Sequence, residues 1–149
     1  MHENAKLGAV LSAKGGSIIA VAPRSTVYDA IALMADKGIG AVLVMEEGRL
    51  LGILSERDYA RKVILMGRHS PETFVDEIMT QRVITTTAEE TVEGAMRIMT
   101  ENRIRHLPVM DGSRVIGVVS VGDLVKWVIS AHEETIAHLR HYIAGGYMT

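Results

Sequence analysis

Apolar and polar positions fall into a series of blocks along this chain, and the series is written twice. Ile18–Val21 is a short apolar run that predicts a strand. Pro23 and Ser25 then announce a helix, with Val27, Ala30, Ile31 and Met34 at i, i+3, i+4 and i+7 on one face. Gly38 is the expected stop. Ile39–Met45 and Leu50–Leu54 read as strands joined by the hairpin signal Glu46-Glu47-Gly48-Arg49, and a second helix is expected after Ser55. The order is β-α-β-β-α. It returns as Val83–Thr86, then Val92, Ala95, Met96 and Met99, then Ile104–Met110, the Asp111-Gly112 turn and Val115–Val119. Met34, Met96 and Met99 follow helical spacing and are expected in the core. Pro108 cannot donate to a ladder, so its strand is expected at an edge or bulged.

A shift of 65 residues lays Ser17–Val63 over Arg82–Val128 without a gap, with 13 of those 47 positions identical. Two copies of one supersecondary unit are expected to pack about a pseudo-twofold axis. The predicted class is therefore α/β (α+β), two tandem repeats followed by an extended C-terminal helix. The expected boundaries are 8–66 for the first repeat, 67–73 for a linker, 74–132 for the second repeat and 133–149 for the C-terminal helix and tail. Ala5–Ala13 is expected to lead into the first copy and Phe74–Met79 into the second. Along the last helix, Trp127, Val128, Ala131, Ile136, Leu139 and Ile143 keep an apolar stripe beyond what the repeat needs, which predicts a partner surface.

Composition narrows the functional classes. The chain has 149 residues, 48% hydrophobic, 23% charged and 4% aromatic, enough for one compact unit or two very small ones. Sixteen Lys and Arg against eighteen Asp and Glu leave a net charge of −2, which argues against phosphate-driven nucleic-acid binding. One Trp and one Phe do not make a base-stacking platform. Cysteine is absent, so disulfides, thiolate nucleophiles and Cys-ligated zinc are excluded. The start lacks the pattern of a signal peptide, and the apolar runs fall short of the ~20 residues that span a bilayer. A cytoplasmic protein with no membrane contact is expected.

The repeated polar residues carry the chemistry. Gly52-Ile53-Leu54-Ser55-Glu56-Arg57-Asp58 returns as Gly117-Val118-Val119-Ser120-Val121-Gly122-Asp123. Each Ser stands where a strand becomes a helix, with an Asp three residues on. Ser-x-x-Asp reads as a capping box for the first amides of the helix. The same geometry also suits a ligand: helix amides favour a phosphate-type anion, an Asp accepts from a ribose hydroxyl pair, and the Gly admits a ligand or another backbone. Glu134, His138 and His141 share one helix face and are weighed as metal ligands, but a solvated face is the reading preferred, and no metal site is expected. Arg57, Arg61, Lys62 and Arg68 form at most a local basic patch. No Ser-His-Asp ordering or phosphate-binding Gly-x-x-x-x-Gly-Lys loop is present, so no catalytic residue is assigned.

The gapless tandem, the element order and the two Gly-h-h-Ser-x-x-Asp runs (h, apolar) resemble a pair of cystathionine β-synthase (CBS) domains, and Ile104-Arg105-His106-Leu107-Pro108-Val109 looks like that family's strand motif. The resemblance covers about residues 8–135. It implies a regulatory module without catalytic activity, a Bateman-type pair that binds an adenine nucleotide, AMP before ATP, ADP or NAD(H). It implies one site at Ser55, Arg57 and Asp58 with Val83 and Ile84, the Asp holding the ribose. A second is implied at Ser120 and Asp123 with Ile18 and Ile19. Arg105 and His106 are implied as phosphate contacts. The copies differ there, with Gly40-Ala41 in place of Arg105-His106 and Gly122 in place of Arg57. A homodimer and a protein effector in trans are the implied partners. The alternative is a protein-interaction module that acts through its long C-terminal helix with little nucleotide dependence.

Overall fold

The computed structural model describes residues 5–141. The first repeat follows the apolar spacing. Helix α2 (Val27–Lys37) is capped by Thr26, whose hydroxyl accepts the Asp29 amide, and ends at Gly38 in the left-handed conformation, φ 66°. Strands β2 (Ala41–Glu46) and β3 (Arg49–Ser55) pair antiparallel, and β1 (Ala20–Val21) adds to β2 in parallel. Helix α3 (Glu56–Tyr59) leaves β3 and loosens into a π turn over Ala60–Ile64. A 3-10 turn at Ser70–Glu72 and helix α4 (Val75–Ile78) follow. The second repeat holds β4 (Thr86–Thr87), α5 (Val92–Asn102), β5 (His106–Asp111), β6 (Arg114–Ser120) and α6 (Val121–His141). Helix α1 (Leu7–Lys14) precedes both. Each repeat has its own three-stranded sheet, in the order β1-β2-β3 or β4-β5-β6.

The hairpins close by different routes. Glu47 and Gly48 both adopt positive φ, 51° and 78°, the requirement of a type I′ turn. In the second hairpin Gly112 alone does so, at 62°, the pattern of a type II′ turn. Three expectations need correction. The first strands are shorter than their apolar runs, since only two residues pair in each; Val83 and Ile84 lie before β4, and Ile18 and Ile19 before β1. Met96 is half-buried, unlike Met34 and Met99, which are fully in the core. Pro108 sits in the middle strand of its sheet, not at an edge. Its counterpart by the repeat, Leu43, donates to the carbonyl of Ile19 at 3.2 Å. With β4 only two residues long and starting at Thr86, the ladder on that side tolerates one missing donor.

The lead-in segments are exchanged. Helix α4 docks on the first repeat: Val75 N–H donates to the Ser25 carbonyl and Val27 N–H to that of Thr73, both at 2.8 Å. The N-terminal segment makes the same two bonds to the second repeat, Leu7 N–H to Glu90 and Val92 N–H to Ala5, again at 2.8 Å. The expectation that each segment serves the copy that follows it is thereby overturned. The cause is burial. Val75 and Ile78 complete an apolar cluster with Val27, Ala30, Met34, Val42, Val44, Leu54 and Val63. Leu7 and Val10 hold the same i, i+3 spacing on α1 and are 0% and 3% exposed. A three-stranded sheet with its two helices still leaves apolar surface that this extra turn covers.

Contacts accordingly divide the chain into two compact units. One is Ser17–Thr85 with Met110–Gly117, and the other joins three pieces, the segment ending at Gly16, Thr86–Val109 and the chain from Val118 onward. The stripe on the last helix is exposed in part: Ile136 and Leu139 are 47% and 56% accessible, while Ala131 is buried. Ile143 lies outside the described residues. Replacing Leu7 by Ala should cost about 2–5 kcal/mol of unfolding free energy, the range for emptying a buried leucine site. Urea denaturation checks this, and an unchanged midpoint would mean that α1 is not part of the folded unit.

Candidate functional site

Ser55 is the last residue of β3 and the N-cap of α3, at φ −110° and ψ 163°. Its hydroxyl accepts the Asp58 amide at 3.1 Å and donates to Asp58 Oδ2 at 3.0 Å, and its own amide donates to the same oxygen at 3.0 Å. The capping box expected from Ser-x-x-Asp is thus formed. The Glu56 amide is also used, donating to the Gly40 carbonyl at 3.0 Å. Asp58 Oδ1 has looser company. Thr80 Oγ1 lies 3.4 Å away and Lys62 Nζ also 3.4 Å, while the shorter bond of Lys62, 2.9 Å, goes to the Ile78 carbonyl. A carboxylate has about four acceptor positions. Oδ2 has spent its two on Ser55, and Oδ1 holds two contacts near the limit of a hydrogen bond. The Asp58 side chain is 16% exposed, so incoming hydroxyls would meet a carboxylate half committed and half open.

Thr80 reaches Asp58 because its backbone pairs with β3. Ile53 N–H donates to the Thr80 carbonyl at 3.0 Å and Thr80 N–H to that of Ile53 at 2.9 Å. Gly52 permits the approach: a Cβ there would lie 2.6 Å from Met79 Sδ and 2.9 Å from the Thr80 carbonyl oxygen. The glycine of the first motif therefore admits the chain's own backbone. Val83 and Ile84, both half-buried, follow Thr80 within roughly 10–14 Å of extended chain. Arg57 is exposed on the first turn of α3. Ser55, Arg57, Asp58, Val83 and Ile84 all fall in one compact unit.

The second box keeps the cap and changes the company. Ser120 N–H donates to Asp123 Oδ2 at 2.8 Å, and the Asp123 amide to Ser120 Oγ at 3.0 Å. Lys14, the last residue of α1, brings Nζ to 2.8 Å from the same oxygen and donates to the Val118 carbonyl at 2.8 Å. Partial burial works to raise the Asp123 carboxyl. The Lys14 ammonium and the Ser120 amide and hydroxyl outweigh it and hold the group below its ordinary value of 3.8. Ser120 and Asp123 belong to the second unit, as do Arg105 and His106, whereas Ile18 and Ile19 belong to the first. Arg105 is exposed just before β5, its carbonyl accepting the Val121 amide at 2.9 Å, and His106 is half-buried at the start of that strand. Ile18 is 39% exposed and Ile19 half-buried.

A family model described as CBS domain matches residues 16–64 and again 75–130. The chain belongs to the CBS domain family. As a tandem CBS pair it is 43% identical to the CBS domain-containing protein CBSX3, mitochondrial, of Arabidopsis thaliana, over 97% of this chain and 75% of the relative. A solved structure of a protein with CBS domains from Burkholderia ambifaria is 48% identical, with a TM-score of 0.81 over 84% of this chain and 94% of that one. The CBS domain pair of protein MJ0100, in complex with 5′-methylthioadenosine and S-adenosyl-L-methionine, shares the fold at 23% identity and a TM-score of 0.73, over 85% of this chain and 97% of that one.

Three side chains of this CBS pair stand at the carboxylates without having been singled out by the motifs: Thr80, Lys62 and Lys14. Lys62 had a usable signal, its i+4 spacing from Asp58 on one helix face. Thr80 and Lys14 had none, because both arrive from distant segments. Of the weighed metal ligands, Glu134 is exposed and the side chains of His138 and His141 lie outside those described. Among the described residues no group of three acidic or His side chains is placed to hold a metal, and no helix is long and apolar enough to cross a membrane.

The Asp123 pair fixes a pH dependence. A carboxyl depressed in the folded state contributes stability at pH above its unfolded value, and that contribution is lost as pH falls through the folded value. The stabilisation from Lys14 and Ser120 should therefore be complete at neutral pH and fade below pH 3.8. Urea midpoints of the wild type and Lys14→Met should differ at pH 6 and converge as pH falls below 3.8. A difference that persists unchanged throughout that fall would assign it to packing instead.

Proposed function

We propose that this CBS pair is a regulatory module that binds an adenosine-containing ligand and signals through its occupancy. Asp58 carries the reading: a carboxylate at a strand-to-helix junction with one oxygen spent on its cap and the other held only by 3.4 Å contacts. In this reading Oδ1 accepts the ribose hydroxyls, which displace Thr80 and Lys62. Val83 and Ile84 offer apolar contact to the adenine, and Arg57 meets the phosphate through charge-assisted bonds. Arg105 and His106 remain the residues that the family resemblance implies for a phosphate. The ligand preferred is AMP, before ATP, ADP or NAD(H), and the binding of adenosine compounds by the MJ0100 pair supports the class. The compartment proposed is the cytoplasm, on a composition without cysteine.

The signal passes to a protein effector in trans or to a change of assembly, by as much as the ligand's affinity differs between two states. Helix α6 supports self-association. Val125, Ile129, Ile136 and Leu139 fall on a 4-3-4-3 spacing with His132, and all four apolar residues are 42–56% exposed. A homodimer through this face is proposed. The same stripe favours the second reading, in which α6 docks another protein and the carboxylates stay empty.

Thermal melting with AMP tests the first reading. At 100 times its dissociation constant, a ligand adds about 2.7 kcal/mol, a rise of roughly 5–10 °C for a chain of this size. Asp58→Ala should abolish most of that rise, and Asp58→Asn, which keeps the cap's shape, should do the same. An unaltered rise in both would move the site elsewhere. Light scattering tests the assembly: the wild type should run at twice 16.2 kDa, and Ile129→Glu with Leu139→Glu should shift it to the monomer. A wild-type monomer at working concentration would end the dimer proposal.

A further inference from the structure

The second motif keeps its carboxylate and loses two cations of the first. The 65-residue offset puts Gly122 where the first copy has Arg57, and Trp127 where it has Lys62. A lysine nevertheless stands at Asp123, delivered from outside the repeat. Helix α1 runs eight residues where α4 runs four, and the added turn ends in Lys14, with Gly15 and Gly16 turning the chain away at φ 64° and 84°. The two ammonium groups are held alike, each resting on a backbone carbonyl. Lys62 Nζ lies 3.4 Å from Asp58 Oδ1 and donates to the Ile78 carbonyl at 2.9 Å. Lys14 Nζ donates to Asp123 Oδ2 and to the Val118 carbonyl, both at 2.8 Å. A cation missing from the motif and supplied by another helix points to a demand of the carboxylate's site.

We propose that Lys14 is a specificity-determining residue of the Asp123 box, making it a site for an anionic adenosine ligand, a nucleotide rather than a nucleoside. The assignment rests on the adenosine-ligand reading above. The Ser120 amide and Lys14 both fall on Asp123 Oδ2. Among the described residues Oδ1 takes no bond, so a ribose hydroxyl pair finds an acceptor there with nothing to displace. A bare carboxylate beside the sugar would repel the phosphate that a nucleotide carries. Lys14 cancels that charge where it stands. An ammonium has three donors; two go to Asp123 and Val118, and the third remains for the ligand's anion. The Lys14 side chain is 40% exposed, which leaves it open to that approach. At Asp58 the same work falls to Lys62 and Arg57 together. Asp123, with Gly122 in place of the arginine, is the weaker site.

Calorimetric titration of the full chain with AMP and with adenosine tests the assignment in Asp58→Asn, where the Asp123 box is the sugar site left. That variant should bind one AMP per chain, more weakly than the wild type binds its first. Adding Lys14→Met should weaken AMP roughly tenfold or more, the worth of one charged hydrogen bond, and adenosine by less than about threefold. Adding Lys14→Arg instead, which keeps the cation, should leave both ligands as in Asp58→Asn. Adding Lys37→Met, which removes a charge from the other repeat, should change neither. Equal losses of AMP and adenosine on Lys14→Met, the mark of a merely structural ion pair, would overturn the assignment, as would no loss of either. No binding to Asp58→Asn, with one AMP per wild-type chain, would overturn it while leaving the sugar reading of Asp58 intact. A single wild-type site that Asp58→Asn leaves undiminished, that Asp123→Asn removes and that Lys14→Met weakens for AMP alone would do the reverse. Neither ligand bound by any variant would overturn both.

Discussion

Helices α2 and α5 each begin on an amide that their own turns cannot satisfy, and in both repeats a carbonyl from the exchanged lead-in segment takes it. Val27 donates to Thr73 and Val92 to Ala5, each answered by a return bond from Val75 or Leu7. The first four amides of any helix lack partners inside it, so these bonds set where the helices start. They also hold Val75, Ile78, Leu7 and Val10 over the apolar faces of the repeats. Once α2 is fixed at Val27, Gly38 and the β2–β3 hairpin follow, and β3 delivers Ser55 to the head of α3. In the first unit the lead-in continues through Met79 and Thr80 along β3, which brings the Thr80 hydroxyl to Asp58. Fold and site share one anchoring interaction.

The motif carboxylates serve two demands at once. As cap residues, Asp58 and Asp123 are stabilised by the amides and hydroxyls of Ser55 and Ser120, a contribution of about 0.5–2 kcal/mol for such caps. As acceptors, they must keep a lone pair for something else. In Asp58 the two oxygens divide the work. In Asp123 the cap and the Lys14 ion pair fall on the same oxygen, and the carboxyl is held ionised to lower pH. A local sequence identity, Ser-x-x-Asp in both copies, thus yields two different electrostatic environments through residues outside the motif.

What was legible in the sequence was what is local. The faces carrying Val27, Ala30 and Met34, and Val92, Ala95 and Met99, are set by helical spacing and are buried as expected. Gly38 and the hairpin glycines sit at positive φ, which their residue type announces. The Ser-Asp boxes close within four residues and could be read directly. The lead-in exchange could not: Leu7 and Val10 carry the same i, i+3 signal whichever repeat they cover. Thr80 and Lys14 reach their carboxylates only after the chain has folded back, and no spacing encodes that. Pro108 misled because the usual exclusion of proline from central strands assumes a full ladder on both sides, and β4 is two residues long.

The exchange of lead-in segments bears on how such a chain could arise. A single repeat with its own lead-in carries one uncovered apolar face and one apolar plug, complementary but not joined in place. Two copies of that ancestor would satisfy each other by trading plugs, as domain-swapped protomers do. Gene duplication and fusion would then convert an intermolecular trade into an intramolecular one without inventing a new interface. The two repeats would afterwards be free to drift in sequence, as Arg57 against Gly122 and Lys62 against Trp127 have done. Neither could be lost without stranding the other's plug.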